Sequence, residues 1–241
     1  MTTPTGDEEL AVLDNAVWAA LTTRHDALAT SHGHARRYPI DVSPFCAVES
    51  TDAAGWRDLA ELVGPGGTAV LFRGVIGDVP DGWTVELSGG GRQMVLAPDA
   101  EPPGAASDGL AVDTVRELDE RDVEAMLELV QLTQPGPFER NTVVLGDYVG
   151  VVEHGRLVAM AGARLRLPGY TEISAVCTHP DVRGRGLASQ LTGLLVERIV
   201  ARGEVPILHV THDNPARRVY ERLGFRVRRD VEFAVLRAPD R

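Results

Sequence analysis

Glu172-Ile173-Ser174-Ala175-Val176-Cys177-Thr178-His179-Pro180-Asp181-Val182-Arg183-Gly184-Arg185-Gly186-Leu187-Ala188 is the stretch on which the fold turns. Its first part reads as a strand that ends at Thr178, and a long amphipathic helix follows over about 186–202. A strand-to-helix turn of this kind leaves free backbone N–H groups at the positive end of a helix dipole, where phosphate oxygens bind well. Gly184 and Gly186 let the backbone approach an anion where a Cβ would collide. Arg183 and Arg185 add positive charge, and Asp181 is the one opposing charge nearby. Alone, such a turn reads equally well as a plain connection that needs Gly for its backbone angles.

A strand over 205–211 comes next. It is followed by Asp213-Asn214-Pro215-Ala216-Arg217-Arg218-Val219-Tyr220-Glu221-Arg222-Leu223-Gly224-Phe225. Asn214 before Pro215 is an N-cap with Pro at the first helical position. The helix over 215–223 ends at Gly224, a natural C′ residue, with Phe225 as a core anchor. Tyr220 shares a helical face with Ala216 and Leu223 and by itself reads as a core aromatic.

Together these two motifs resemble those of the GNAT superfamily of acyl-CoA-dependent N-acyltransferases. The family's pyrophosphate-binding wording, R/Q-x-x-G-x-G/A, is matched by Arg183, Gly186 and Ala188. The family's N-x-x-A-x-x-x-Y-x-x-x-G-F is matched from Asn214 to Phe225, with Ala216 one place early. The resemblance covers about residues 110–237. The wording from Glu172 to Pro180, with Leu208-His209-Val210, is most similar to the glycine-N-acyltransferase-like branch.

The resemblance implies an α+β fold with a mixed, mostly antiparallel sheet and helices on both faces. It implies transfer of an acetyl (acyl) group from acetyl-CoA, without a metal, to a primary amine of a small molecule, amino acid or peptide by direct attack in a ternary complex. The backbone of Arg183, Gly184, Arg185, Gly186, Leu187 and Ala188 would seat the pyrophosphate. Val176, Cys177 and Thr178 would hold the pantetheine arm, with Asn214 beside it, and the Val176 N–H would polarise the thioester carbonyl. An amine with a pKa of about 10.4 must lose a proton before it attacks. Glu172 is the candidate base, with His209 as the competitor, and Tyr220 would protonate the leaving thiolate. Each has a plainer reading: Glu172 as an exposed strand residue, His209 as a structural histidine, Cys177 as a small buried residue. The alternatives in function are a non-catalytic acyl-CoA-binding sensor or interaction module, and an O- or S-acyltransferase.

The rest of the chain frames that unit. Residues 97–109, rich in Pro, Gly, small residues and acids, read as a linker between a divergent α/β domain (1–108) and the GNAT domain (109–241). The first domain has an order of elements suggestive of a degenerate half of the same fold, without a cofactor motif. In it, 10–29 reads as a helix, and 45–48 as a strand. Asp52 caps a helix to about residue 63, and 68–72 is a strand. Residues 83–87 and 92–96 read as two strands joined by a turn at Gly89-Gly90-Gly91. His32 and His34 fall in a polar loop, and no His or Cys has metal-ligand spacing. In the second domain, Asp119 caps a helix to about residue 132, and 148–153 and 157–167 form a hairpin.

The formal net charge of −11 disfavours nucleic-acid partners. Residues 1–110 hold 16 acidic against 6 basic side chains, which suggests attraction of cationic acceptors. No apolar run reaches the roughly 20 residues of a membrane span. The start of the chain lacks a signal-peptide pattern, and the two cysteines suit a reducing compartment, so the expectation is a cytoplasmic protein, a monomer or homodimer.

Overall fold

Alternating apolar residues, punctuated by Gly and Pro, build eleven strands among the described residues, all in one sheet. The computed structural model describes residues 10–100 and 115–240. The first half supplies α1 (Ala16–Leu21), β1 (Thr30–His32), β2 (Ala35–Arg37), β3 (Phe45–Val48), α2 (Ala53–Val63), β4 (Thr68–Arg73) and β5 (Thr84–Leu96). The second half supplies β6 (Val115–Leu118), α3 (Val123–Thr133), β7 (Tyr148–Glu153), β8 (Arg156–Leu167), β9 (Tyr170–Thr178), α4 (Leu187–Ala201), β10 (Val205–Thr211), α5 (Arg217–Arg222) and β11 (Phe225–Arg237).

The strand order is β1-β2-β3-β4-β11-β5-β10-β9-β8-β7-β6. Pairing is antiparallel except for β3 with β4 and β9 with β10. The sheet therefore passes through both halves: β5 lies between β10 and β11, and β11 lies between β4 and β5. Most of the expected linker lies outside the described residues. Ala97 is buried, and its N–H donates to the Gly224 carbonyl at 3.0 Å.

Helices cover the sheet on two sides. On β8, Ala159 and Ala161 pack in the cluster that holds α4, whereas Met160 packs with α3. Alternate residues of a strand face opposite ways, so the two helices lie on opposite faces. Leu187, Leu191, Leu195 and Ile199 form the buried stripe of α4, at the helical spacing of four. Fully burying such a side chain stabilises by about 1.5–3 kcal/mol. The α3 helix starts from a capping box at Asp119 and Asp122 and ends at Gln134, whose φ of 51° takes the chain into Pro135.

Two expectations in the first half are corrected. Gly89–Gly91 is not a turn between two strands; β5 runs straight through it for 13 residues. Its whole length pairs with β11, including Gly89 with Phe233. The glycines are there for clearance: a Cβ on Gly89 would lie 2.5 Å from the Phe233 ring, and one on Gly91 would lie 2.6 Å from the Val210 carbonyl oxygen. Long-range pairing overrides the local turn signal. Residues 10–29 do not form one helix either. A 3-10 turn precedes α1, and after it the Thr22 and Thr23 hydroxyls donate to the Trp18 and Ala19 carbonyls and compete with helix continuation. His32 and His34, expected in a loop, belong to the β1–β2 hairpin and pair with Glu61 and Glu49.

Candidate active site

The strands β9 and β10 part company midway. They pair in parallel only from Tyr170 to Ile173 against Val205 to Leu208. Beyond that, β10 stays with β5 as far as Thr211, while β9 bulges. Ala175 has a φ of 53°, unusual for a non-glycine residue in a strand, and the β8–β9 register slips between Ser174 and Cys177. Ala175 and Val176 are in register with neither neighbouring strand. The gap between the parted strands opens into a cavity of about 1100 Å³.

At one end stands the loop before α4. Gly184 and Gly186 have φ of 82° and 80°, where a side chain is strained. A Cβ on Gly184 would meet nothing within 4 Å, so the loop is open toward the cavity rather than packed. The α4 N-terminus has no side-chain cap and no acid in its first turn. Its first N–H groups therefore stand free for an anion. Arg183 lines the cavity, and its Nε donates to the Thr178 carbonyl at 3.3 Å. The Thr178 hydroxyl, also on the wall, is buried without a hydrogen-bond partner.

Tyr220 reaches the cavity from α5, 8% exposed, with its ring edge-on to Phe225. Burial raises its pKa to about 12, so it is a neutral O–H donor at physiological pH. Asn214 also lines the cavity, its Oδ1 accepting from the Ala216 N–H at 2.9 Å in a turn; it is not the expected N-cap, because α5 begins at Arg217 with Ala216 as its N-cap and no side-chain cap. Burial pushes the Cys177 thiol up to about 11, which keeps it protonated and unsuited to accept an acyl group.

Beneath the other end runs a buried polar chain. Arg164 grips Glu172 through Nε at 3.0 Å and Nη2 at 2.8 Å, and His209 Nδ1 meets the same carboxylate at 2.8 Å. Glu172 is 1% exposed. Burial opposes its ionisation, but the Arg164 charge and the His209 hydrogen bond outweigh that and bring its pKa to about 2. On the far side of the ring, Gln93 Nε2 lies 3.0 Å from His209 Nε2. The same amide nitrogen donates to the Leu13 carbonyl, while Gln93 Oε1 accepts from Arg228, which sets the amide's orientation. His209 Nε2 is thus the acceptor, and Nδ1 carries the proton toward Glu172.

The cavity wall brings together Val176, Cys177, Thr178, Arg183, Gly184, Gly186, Leu187, Ala188, Asn214 and Tyr220 of the expected site residues. Two others do not reach it. Arg185 turns away into a two-pronged pair with Glu153, at 3.0 and 2.6 Å. Glu172, read from the sequence as an exposed strand residue or a base, lies behind Arg164 and His209, which do line the wall. Arg164 and Gln93 were not singled out in the sequence, because no local motif marks them. Among the described residues no cluster of His, Cys, Asp or Glu could hold a metal ion, and no helix is long and apolar enough to cross a membrane.

A curled mixed sheet that opens beside an uncapped helix N-terminus defines the class, a GNAT-type acetyltransferase, and the comparisons agree. Residues 148–234 match the family model described as FR47-like protein. A crystal structure described as an acetyltransferase of the GNAT family, from Novosphingobium aromaticivorans, is 36% identical over 93% of this chain and 97% of that one, with a TM-score of 0.82. A GCN5-related N-acetyltransferase from Kribbella flavida shares the fold at 17% identity, with coverage of 93% and 95% and a TM-score of 0.62. No curated protein matches this chain. The chain belongs to the GNAT family.

Proposed function

We propose that this chain transfers an acetyl group from acetyl-CoA to a primary amine in a ternary complex. The observation that carries the reading is one cavity that unites an open helix N-terminus, a strand bulge, a neutral tyrosine and a carboxylate-held histidine. Acetyl-CoA supplies the acetyl thioester. The residues present fit it: positive-φ glycines facing open space, free N–H groups and an orphaned Thr178 hydroxyl. The backbone from Arg183 to Ala188 would hold the phosphates, and Val176 to Thr178 would hold the pantetheine arm as an added strand. The wording around Glu172 and His209 supports placement in the glycine-N-acyltransferase-like branch.

Both ring nitrogens of His209 are engaged, Nε2 by the Gln93 amide and Nδ1 by Glu172, so the amine proton leaves through water at this polar end of the cavity. Glu172 acts as a positioning residue: ionised at neutral pH, it fixes the Nδ1–H tautomer and the ring orientation of His209. The Val176 N–H, freed from the ladder, polarises the carbonyl. Tyr220 donates to the departing sulfur.

Thiol release from acetyl-CoA over a panel of amines tests the reading. Tyr220→Phe keeps the ring and its packing, and the expected loss in kcat is about 10²-fold with unchanged acetyl-CoA affinity. Wild-type turnover by that variant across neutral pH would return Tyr220 to the core. Acetyl-CoA binding without release to any acceptor would make the chain a sensor.

A further inference from the structure

Among the described residues, the acidic side chains of the first half do not face the cavity. Among the lining residues Glu139 is the one acid, and Arg164, whose charge Glu172 meets, Arg183 and Arg222 are the cations. What the first half does contribute is apolar. Phe45, Val70, Phe72 and Leu87 line the cavity from β3, β4 and β5, and Phe233 and Val235 join them from β11. Phe45 and Phe72 stack at 5.7 Å with 25° between their planes. The wall is continuous with the polar chain at both ends. The Arg164 guanidinium carbon lies 4.9 Å from the Phe45 ring centre, and the His209 ring meets Phe72 edge-on at 4.6 Å. Leu87 is 57% exposed at the rim, an apolar side chain that the fold itself does not bury.

From this we infer that the acceptor is a primary amine on an apolar, aryl-bearing body, with the body against the Phe45–Phe72–Phe233 wall and the amine toward His209. The inference rests on the acyl-transfer reading above. The groups that would hold acetyl-CoA, the α4 loop, the β9 bulge and Asn214, all come from the second half, so the first-half wall is left for the acceptor. A second positive charge on the acceptor would be desolvated among phenylalanines with no partner but Glu139, which disfavours diamines. Free amino acids such as glycine offer nothing for the wall to bury.

Phenethylamine, diaminobutane and glycine, compared with saturating acetyl-CoA, test it. The expected kcat/KM favours phenethylamine by about 10-fold or more, the effect of burying a ring. Leu87→Asp places a carboxylate at the rim, away from the catalytic groups, and should lower that preference about 10-fold while leaving acetyl-CoA affinity unchanged. Calorimetry of phenethylamine with CoA-saturated protein should show the same weakening. A preference for diaminobutane or glycine, or a Leu87→Asp variant with unchanged preference, overturns the inference and leaves the acetyltransfer reading standing. Phenethylamine that binds with no CoA release for any acceptor does the reverse: the wall is confirmed and the amine-transfer reading falls.

Discussion

The segment β3–α2–β4–β5 of the first half and the segment β9–α4–β10–β11 of the second follow one plan. Each has two parallel strands joined through a helix, then a 13-residue strand that crosses into the other half's part of the sheet. The long strands are exchanged: β5 pairs with β10, and β11 with β4. That repetition supports reading the first half as a degenerate copy of the second. The difference between them lies at the helix N-termini. In the first half, Glu49 to Asp52 lead into α2, and the Asp52 carboxylate accepts from the Ala54 and Gly55 N–H groups, both at 2.9 Å. In the second half, His179 to Gly186 lead into α4, which no side chain caps. One helix N-terminus is closed by its own carboxylate, and the other has no side-chain cap. A fold thus supplies the seat, and a few residues decide whether a ligand takes it.

The walls of the cavity differ as sharply. The second half places a buried Arg164–Glu172 ion pair with His209 hydrogen-bonded to it under its wall, and the first half presents stacked phenylalanines. The largest expected effect tests that contrast. Glu172→Gln strands a buried Arg164 without its charge partner, and removing one member of a buried pair costs about 3–5 kcal/mol. The pH dependence has a definite sign. Glu172 has a folded pKa near 2, below its ordinary 4.5. Its contribution is therefore complete above about 4.5 and is lost as pH falls toward 2. The stability gap between wild type and Glu172→Gln, read by denaturant melts, should be widest near neutral pH and close over that window. A gap that stays constant across it would mean that Glu172 serves packing alone.

The next effect, on binding, concerns the open seat. Gly186→Asp puts a carboxylate at the α4 N-terminus and a side chain at a φ of 80°. Loss of one charge-assisted contact, about 1.5–3 kcal/mol, lowers acetyl-CoA affinity by about one to two decades. Calorimetry with unchanged affinity would move the phosphate seat away from this loop.

What the sequence made legible, and what it hid, follows the same divide between local and distant contacts. The 183–188 turn, Asn214 and Tyr220 were readable because each sits on one short motif whose geometry is set by neighbours along the chain. The Asp52 cap and α2 were readable for the same reason, and the structure has them where they were expected. The polar chain was legible only in part: Glu172 and His209 stood out as candidate bases, while Arg164 and Gln93 did not. Arg164, Glu172, His209 and Gln93 come from four strands, and only β8–β9 are joined by a hairpin turn. Gln93 reaches His209 across 116 residues of chain. Neither periodicity nor a motif marks a partner at that distance. The glycine triplet failed in the opposite way: its local signal for a turn was strong, and the pairing of β11 along β5 overruled it.

The smallest expected effect is the one that isolates the cap. Asp52 is exposed, and the Gly55 and Ala54 N–H groups hold its carboxyl below the usual range. Asp52→Ala removes that carboxylate and opens the N-terminus of α2, making it resemble α4 in this one respect. A modest fall in Tm should follow, since a capping residue has been lost. Acetyl-CoA should still bind at a single site per chain, with kcat/KM unchanged. The reason is the turn itself. Glu49 to Asp52 contains no glycine, whereas the second half has Gly184 and Gly186 at positive φ before α4. Calorimetry that gave two equivalents of acetyl-CoA per chain for Asp52→Ala would show that the cap alone separates the copies, and that the glycine loop is not needed for an anion seat in this fold.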